Sequence, residues 1–190
     1  MTQQIEIEFK NNLTKTEYTN LLKNLNLSEN DCYTQENHYY DTTDWKLKNK
    51  HSALRIRLFT SSAELTLKTP LGEDILETTD SLTLKEAQQF LNSKTIKTDG
   101  YVAQKLTELQ IDLKNLRLFG SLTTKRCEKR IAQGLIVLDK SSYGTNKDYE
   151  LEFEAASRSI GKVYFEQFLK KHSIEKRPTK NKIVRMMESI

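Results

Sequence analysis

Apolar and charged residues alternate along several short segments of the chain, and a period of two is typical of β-strands. The first such segment, "IEIEFK" at residues 5–10, places two glutamates and a lysine on one face and three apolar residues on the other. The pattern predicts about eight strands, which we place at residues 3–11, 33–42, 52–59, 62–69, 73–79, 116–132, 134–142 and 147–155.

Other segments have apolar residues at helical spacing. These predict helices at residues 13–27, 82–92, 99–110, 157–174 and 178–190, with Thr14 as the N-cap of the first. A short turn at Gln133 and Gly134 between two strands indicates a hairpin. The chain is therefore predicted to be an α+β protein with mainly antiparallel strands.

Composition narrows the class of protein. The 190 residues are 36% hydrophobic and 29% charged, and no Pro/Gly/Ser-rich linker divides them, so we expect a single domain over residues 1–190. The net charge of +4 is too balanced to indicate nucleic-acid binding. We also expect no membrane segment and a cytoplasmic location. Cys32 and Cys127 lack metal-binding spacing and are expected to be ordinary reduced thiols.

The charged faces of the predicted strands are segregated by sign. The first strand carries Glu6 and Glu8 on one face, "LRIR" carries Arg55 and Arg57 on one face, and "YELEFE" carries three glutamates on one face. An antiparallel sheet with one face in water is the plain alternative. About eight strands can also close into a barrel, and a charged interior would then require a charged ligand. A polyanion would satisfy the cations, and a divalent cation would satisfy the carboxylates, a combination required for phosphoryl chemistry.

The ordered segments "EIEFK", "YYDT", "LRIR", "ELTLK", "LET", "TTKR", "VLD", "YELEFE" and "KNK" resemble the CYTH superfamily, also called triphosphate tunnel metalloenzymes. The resemblance spans nearly the whole chain. It implies an eight-stranded closed antiparallel β-barrel, the triphosphate tunnel, with a charged interior and helices packed outside. It also implies Mg²⁺ or Mn²⁺ as cofactor.

The resemblance implies roles for individual residues. The implied metal ligands are Glu6, Glu8, Asp139, Glu150 and Glu152. The implied substrate-binding cations are Lys10, Arg55, Arg57, Lys68, Arg126 and Lys182, and the implied catalytic residues are Lys10 and Glu77. Two of these assignments have alternatives. The metal-binding pair on the last strand is either Glu150 with Glu152 or Glu152 with Glu154, and the last substrate-binding lysine is either Lys182 or Lys180. Lys125 is a weaker alternative to Arg126, since it alternates to the other face.

Three functions are consistent with this resemblance. The first is a metal-dependent hydrolase of inorganic triphosphate or another triphosphorylated small molecule, such as thiamine triphosphate. The second is an adenylate cyclase that makes cyclic AMP from ATP, although no segment indicates a base-recognition site. The third is a non-catalytic module that binds polyphosphate or nucleotides. We expect a triphosphate-containing small molecule as partner, neither nucleic acid nor membrane, and a monomer or homodimer.

Overall fold

The structure is a computed structural model that describes residues 2–188 of the 190-residue chain. Within this range, nine strands are formed: β1 (Thr2–Glu6), β2 (Glu8–Leu13), β3 (Cys32–Thr42), β4 (Ala53–Leu58), β5 (Ala63–Leu71), β6 (Asp74–Leu82), β7 (Leu116–Ile131), β8 (Gly134–Tyr143) and β9 (Asn146–Ala155). The α-helices of the same range are α1 (Lys15–Asn24), α2 (Lys46–Asn49), α3 (Leu84–Ser93), α4 (Tyr101–Glu108), α5 (Arg158–Lys171) and α6 (Lys182–Met187).

The strands form a sheet in the order β1-β6-β5-β4-β3-β7-β8-β9-β2. The ladders β2–β9, β3–β4, β4–β5, β5–β6, β7–β8 and β8–β9 are all antiparallel. This confirms the predicted antiparallel fold, but the count differs from the predicted eight strands because Ile7 interrupts the first one. The two halves of that segment pair with different neighbours, so the hydrogen-bonded order has two ends, at β1 and β2, where a closed ring was expected.

The described residues divide into two compact units. The first unit comprises residues 2–5 and 35–122, and the second unit comprises residues 6–34 and 123–188. Each unit has its own hydrophobic core. No helix in the described range combines the length and the apolar character needed to cross a membrane.

In the first unit, the apolar faces of β4 and β5 are covered by helices. Leu54, Ile56, Leu65 and Leu67 are fully buried and pack in one cluster with residues of α3 and α4. The start of α4 is fixed by Asp80, whose carboxylate accepts hydrogen bonds from two backbone amides of its first turn. Because alternate residues of a strand point to opposite faces, this packing leaves the charged residues of β4 and β5 together on the other face.

In the second unit, α1 and α5 pack against β2 and β9. Leu151 and Phe153 of β9 are buried in the same cluster as Leu21 of α1 and Phe165 of α5. A Cβ on Gly161 would lie 2.5 Å from the Cβ of Ala155, so the close approach of α5 to the sheet requires glycine there. The charged face of β9 again lies opposite its apolar, helix-covered face.

The two cysteines form a disulfide between β3 and β7. The expectation of reduced thiols is therefore wrong. Cys32 and Cys127 are 95 residues apart in sequence, and their Cα atoms are 4.2 Å apart. This proximity comes from the neighbouring positions of β3 and β7 in the sheet, which the sequence spacing does not reveal.

The C-terminal segment is held on β2 before its last helix begins. The side chain of Asn11 donates to the carbonyl of Glu175 and accepts from the amide of Arg177, and Thr179 accepts from the amide of Asn12. The predicted helix over 178–190 is shorter in the structure, since α6 begins at Lys182; residues 189 and 190 lie outside the described residues. The anchored segment sets the position from which α6 starts.

Candidate functional site

Three carboxylates lie together in the second unit, and we call them the acidic cluster: Asp139, Glu150 and Glu152. Asp139 on β8 is directly opposite Glu150 on β9, and Glu152 follows on the same face of β9. One oxygen of each carboxylate lies within 4.8 Å of the others. The three residues have relative exposures of 0%, 1% and 6%, so cations must neutralise them.

Two predicted substrate-binding cations provide that charge. The guanidinium of Arg126 donates to both oxygens of Asp139, at 2.8 and 2.6 Å, and to Glu152 at 2.7 Å. The Nζ of Lys182 contacts all three carboxylates, at 2.8 Å from Asp139 and 2.5 Å from Glu150, and it also donates to Glu152. The ammonium group of Lys182 is therefore shared by the whole acidic cluster.

The carboxyls of Glu150 and Glu152 are perturbed in opposite directions. Burial raises the pKa of Glu150 to about 7, and the charge of Glu152 adds to this rise although Lys182 opposes it. Burial acts on Glu152 in the same direction, but Lys182 and Arg126 outweigh it and hold the pKa of that carboxyl well below its usual range. Near neutral pH, Glu150 can thus gain or lose a proton, whereas Glu152 stays ionised.

Of the predicted residues of the first segment, Lys10 lies next to the cluster. Lys10 on β2 is directly opposite Glu152, and its Nζ lies 2.7 Å from Glu8 and 2.8 Å from the side-chain oxygen of Asn181. Glu6 ends β1, one residue before the interruption. Among the described residues, the carboxylates whose oxygens lie within 4.8 Å of one another are those of the acidic cluster, and neither Glu6 nor Glu8 is one of them. The structure therefore brings three of the five predicted metal ligands into one close group.

The predicted phosphate-binding residues of the first unit form what we call the basic cluster: Arg55, Arg57 and Lys68. In the β4–β5 ladder Arg57 is opposite Glu64, and its Nη1 lies 3.3 Å from that carboxylate. Lys68 on β5 is opposite Glu77 on β6, with 3.1 Å between its Nζ and the carboxylate. Side-chain exposures of 12% for Arg57 and 22% for Lys68 show that this face is not simply solvated.

The pKa of Glu77 is lowered by the positive charge of the basic cluster. Burial would raise the pKa of its carboxyl, but Lys68, Arg55 and Arg57 together lower it. Arg57 is further held by the side chain of Asn37, which accepts from its Nε at 2.9 Å. Glu77 therefore stays ionised among these three cations.

The structure distinguishes the registers that the sequence left open. It groups Glu150 and Glu152, rather than Glu154, with Asp139. Lys182 lies in the acidic cluster, whereas Lys180 is 61% exposed and pairs with Glu188. Lys125 likewise points away from the cluster and pairs with Glu29.

Sequence reasoning missed Arg185. Its Nη1 lies 2.6 Å from Glu150, and its Nε donates to Asp148 at 2.8 Å. The sequence spacing could have identified both Arg185 and Asp148. Asp148 is two positions before Glu150 on one strand face, and Arg185 is three positions after Lys182 on one helix face. The helical spacing of Lys182 and Arg185 was the available signal.

The donor set of the acidic cluster fits a hard divalent cation. Carboxylate oxygens are the protein ligands that Mg²⁺ and Mn²⁺ prefer, and the described cluster offers three carboxylates on two paired strands. The cluster could therefore hold a metal ion in place of the ammonium that now neutralises it.

Comparison with known proteins places these observations in a family. The sequence matches the CYTH domain model over residues 4–187. It is 47% identical over 188 residues to the Bacillus subtilis (strain 168) protein named "Putative triphosphatase YjbK", covering 99% of this chain and 97% of that protein.

Solved structures agree with the sequence comparison. A crystal structure from Bacillus halodurans, described as a "putative adenylate cyclase", superimposes with a TM-score of 0.93 at 40% identity, covering 97% of this chain and 98% of that chain. HpAC1 from Hippeastrum, described as a "putative adenylyl cyclase" with a dominant triphosphatase activity, superimposes with a TM-score of 0.79 over 97% of this chain and 95% of that one. At 22% identity, the second likeness shows the fold alone.

Proposed function

The chain belongs to the CYTH domain family, and we propose that it is a divalent-metal-dependent hydrolase of inorganic triphosphate or another triphosphorylated small molecule. The observation that carries this proposal is the buried acidic cluster, which can take a divalent cation through oxygen ligands alone. The basic cluster supplies the cations that a polyphosphate requires. The name of the 47% identical relative supports the same activity.

Asp139, Glu150 and Glu152 would hold Mg²⁺ or Mn²⁺, with Glu6 and Glu8 as further ligands. When bound, the metal would neutralise phosphate charge and position the attacking water. Lys182 neutralises the same carboxylates in the structure, so an arriving metal would compete with its ammonium group.

The chain's own cations would bind the substrate. Arg55 and Arg57 would bind phosphate oxygens through their planar guanidinium groups, and Lys68 would act as a compact charge. Glu77 would keep Lys68 oriented by the ion pair that they form. Lys10, which lies beside Glu8 and opposite Glu152, would place a further positive charge at the acidic cluster.

Phosphate release tests this function directly. The full chain would be assayed with inorganic triphosphate, thiamine triphosphate, ATP and pyrophosphate, each with Mg²⁺, with Mn²⁺ and with EDTA. We expect metal-dependent release from at least one triphosphate and little from pyrophosphate. If triphosphates bind but are not hydrolysed with either metal, the result would contradict the proposed hydrolase activity and favour a binding module.

Matched substitutions test the two clusters separately. Glu152→Gln and Arg57→Gln should each lower kcat/KM about 100-fold or more, because each removes a buried or largely buried charge proposed to act on metal or phosphate. Their controls are Glu166→Gln, in a surface ion pair with Lys176, and Arg117→Gln on an exposed position. Full activity of both cluster variants would contradict the proposed site.

Cyclisation of ATP is the second candidate, because a 40% identical protein is described as a "putative adenylate cyclase". A cyclase needs the same metal and triphosphate groups, with the ribose 3′-oxygen as nucleophile. Measurement of cyclic AMP in the reactions with ATP and Mn²⁺ distinguishes the cyclase from the hydrolase. Cyclic AMP as the main product would replace the hydrolase proposal.

A further inference from the structure

Helix α6 brings two cations to a single carboxylate. Lys182 and Arg185 are three residues apart on this helix and so lie on one face. Lys182 contacts one oxygen of Glu150 at 2.5 Å, and Arg185 contacts the other at 2.6 Å. The two contacts fix the carboxylate so that one oxygen points to the acidic cluster and the other points to Arg185.

Arg185 is itself held from two further sides. Its Nε donates to Asp148 at 2.8 Å, and its Nη1 donates to the backbone carbonyl of Lys180 at 2.5 Å. The same oxygen of Asp148 also accepts from the hydroxyl of Tyr143 at 2.7 Å. Arg185 is only 11% exposed, so these contacts are made largely out of water.

Asp148 and Glu150 lie two residues apart on one face of β9, where their charges repel each other at about 7 Å along the strand. The guanidinium of Arg185 bridges them, through a hydrogen bond to Asp148 and an ion-pair contact with Glu150. A planar group with several donors can hold two carboxylates at fixed angles, whereas a lysine ammonium on a flexible stem cannot. The arrangement therefore depends on geometry as well as on charge.

From these contacts we infer that Arg185, anchored by Asp148, is a positioning residue that orients Glu150 for metal binding. This inference rests on the metal site of the proposed function. Outer partners that orient metal ligands change metal affinity by about 10- to 100-fold when they are replaced. Arg185 would act in this way through Glu150, without itself touching the metal or the substrate.

The opposing explanation is that Arg185 contributes only its charge. The two explanations predict opposite changes in metal affinity for Arg185→Gln. If Arg185 only repels an arriving cation, Arg185→Gln should bind metal more tightly and Arg185→Lys should match the wild type. If Arg185 positions Glu150, both substitutions should weaken binding, since lysine keeps the charge but loses the bridge.

The experiment is isothermal titration of the full chain with MnCl₂, without substrate. We expect Arg185→Lys and Arg185→Gln to bind Mn²⁺ about 10- to 100-fold more weakly than the wild type. Asp148→Asn should weaken binding in the same direction, and the Arg185→Lys/Asp148→Asn double variant should lose less than the sum of the two, because both act through one contact.

Lys176→Gln is the matched control for simple loss of a positive charge from the same C-terminal segment. Lys176 is 69% exposed and pairs with Glu166 on the surface. This control should leave both thermal stability and Mn²⁺ affinity unchanged. Equal weakening in Lys176→Gln, or wild-type affinity in Arg185→Lys, would overturn the positioning role. Absence of Mn²⁺ binding by the wild type would instead overturn the proposed metal site, and this inference with it.

Discussion

Replacing Lys182 with methionine should destabilise the metal-free protein and make its stability depend on divalent cations. The side chain of Lys182 is 14% exposed and neutralises three carboxylates of the acidic cluster. Methionine has a similar length and no charge. Among the described residues, Arg126 and Arg185 are the cations that would remain within ion-pair distance of these carboxylates.

The size of the effect follows from burial. Removing one partner of a buried ion pair costs about 3–5 kcal/mol, because it leaves a charge uncompensated. For a chain of this length, 1 kcal/mol corresponds to a change in Tm of about 2–4 °C. We therefore expect Tm to fall by roughly 6–20 °C in EDTA.

The loss should depend on pH in a defined direction. The pKa of Glu150 is already raised to about 7, chiefly by burial, and Lys182 is the group that most opposes the rise. A carboxyl whose pKa is raised by folding stabilises the folded protein when it is protonated. Its contribution to the free energy of unfolding is therefore complete below its unfolded pKa and disappears as pH rises through its folded pKa. The variant should therefore lose more stability at pH 8 than at pH 5.5.

The assay is thermal unfolding of Lys182→Met by circular dichroism, in EDTA and in Mg²⁺, with Lys176→Met as control. Lys176 is 69% exposed in a surface ion pair, so its replacement should change stability by less than about 0.5 kcal/mol. Mg²⁺ should raise the Tm of Lys182→Met more than that of the wild type. A variant that unfolds within 1 °C of the wild type in EDTA at pH 8 would refute the argument.

Three further predictions concern the fold. Leu67→Ala, at a fully buried core position, should reduce the free energy of unfolding by about 2–5 kcal/mol in urea titrations, and a loss below 1 kcal/mol would contradict the core assignment. Gly134→Ala should cost about 1–3 kcal/mol, because a Cβ would lie 2.1 Å from the carbonyl oxygen of Glu154; Gly144→Ala, with open space around it, should cost less. Cys32→Ser should destabilise by about 2–5 kcal/mol and make Tm insensitive to dithiothreitol, whereas a wild type that is insensitive to the reductant would mean that the disulfide is not formed.

The periodicity of the sequence determined which residues share a face. Alternation alone grouped Arg55 with Arg57 and Glu150 with Glu152, and the structure keeps each pair on one strand face. Most predicted elements were located correctly because a period of two or of 3.6 is a local property of the chain. The single domain, the site roles, the monomer or homodimer and the cytoplasmic location remain predictions.

Tertiary structure decided which faces and residues meet. The sequence alone left Lys180 and Lys182 as alternatives, whereas in the structure residues 175–179 are anchored on β2 and Lys182 lies in the acidic cluster. Ladder register placed Arg126 opposite Asp139, so that a residue expected to bind phosphate neutralises carboxylates. The Cys32–Cys127 bond likewise depends on neighbouring strands. Such contacts join residues distant in sequence, and no local pattern encodes them, because they arise from strand pairing and core packing.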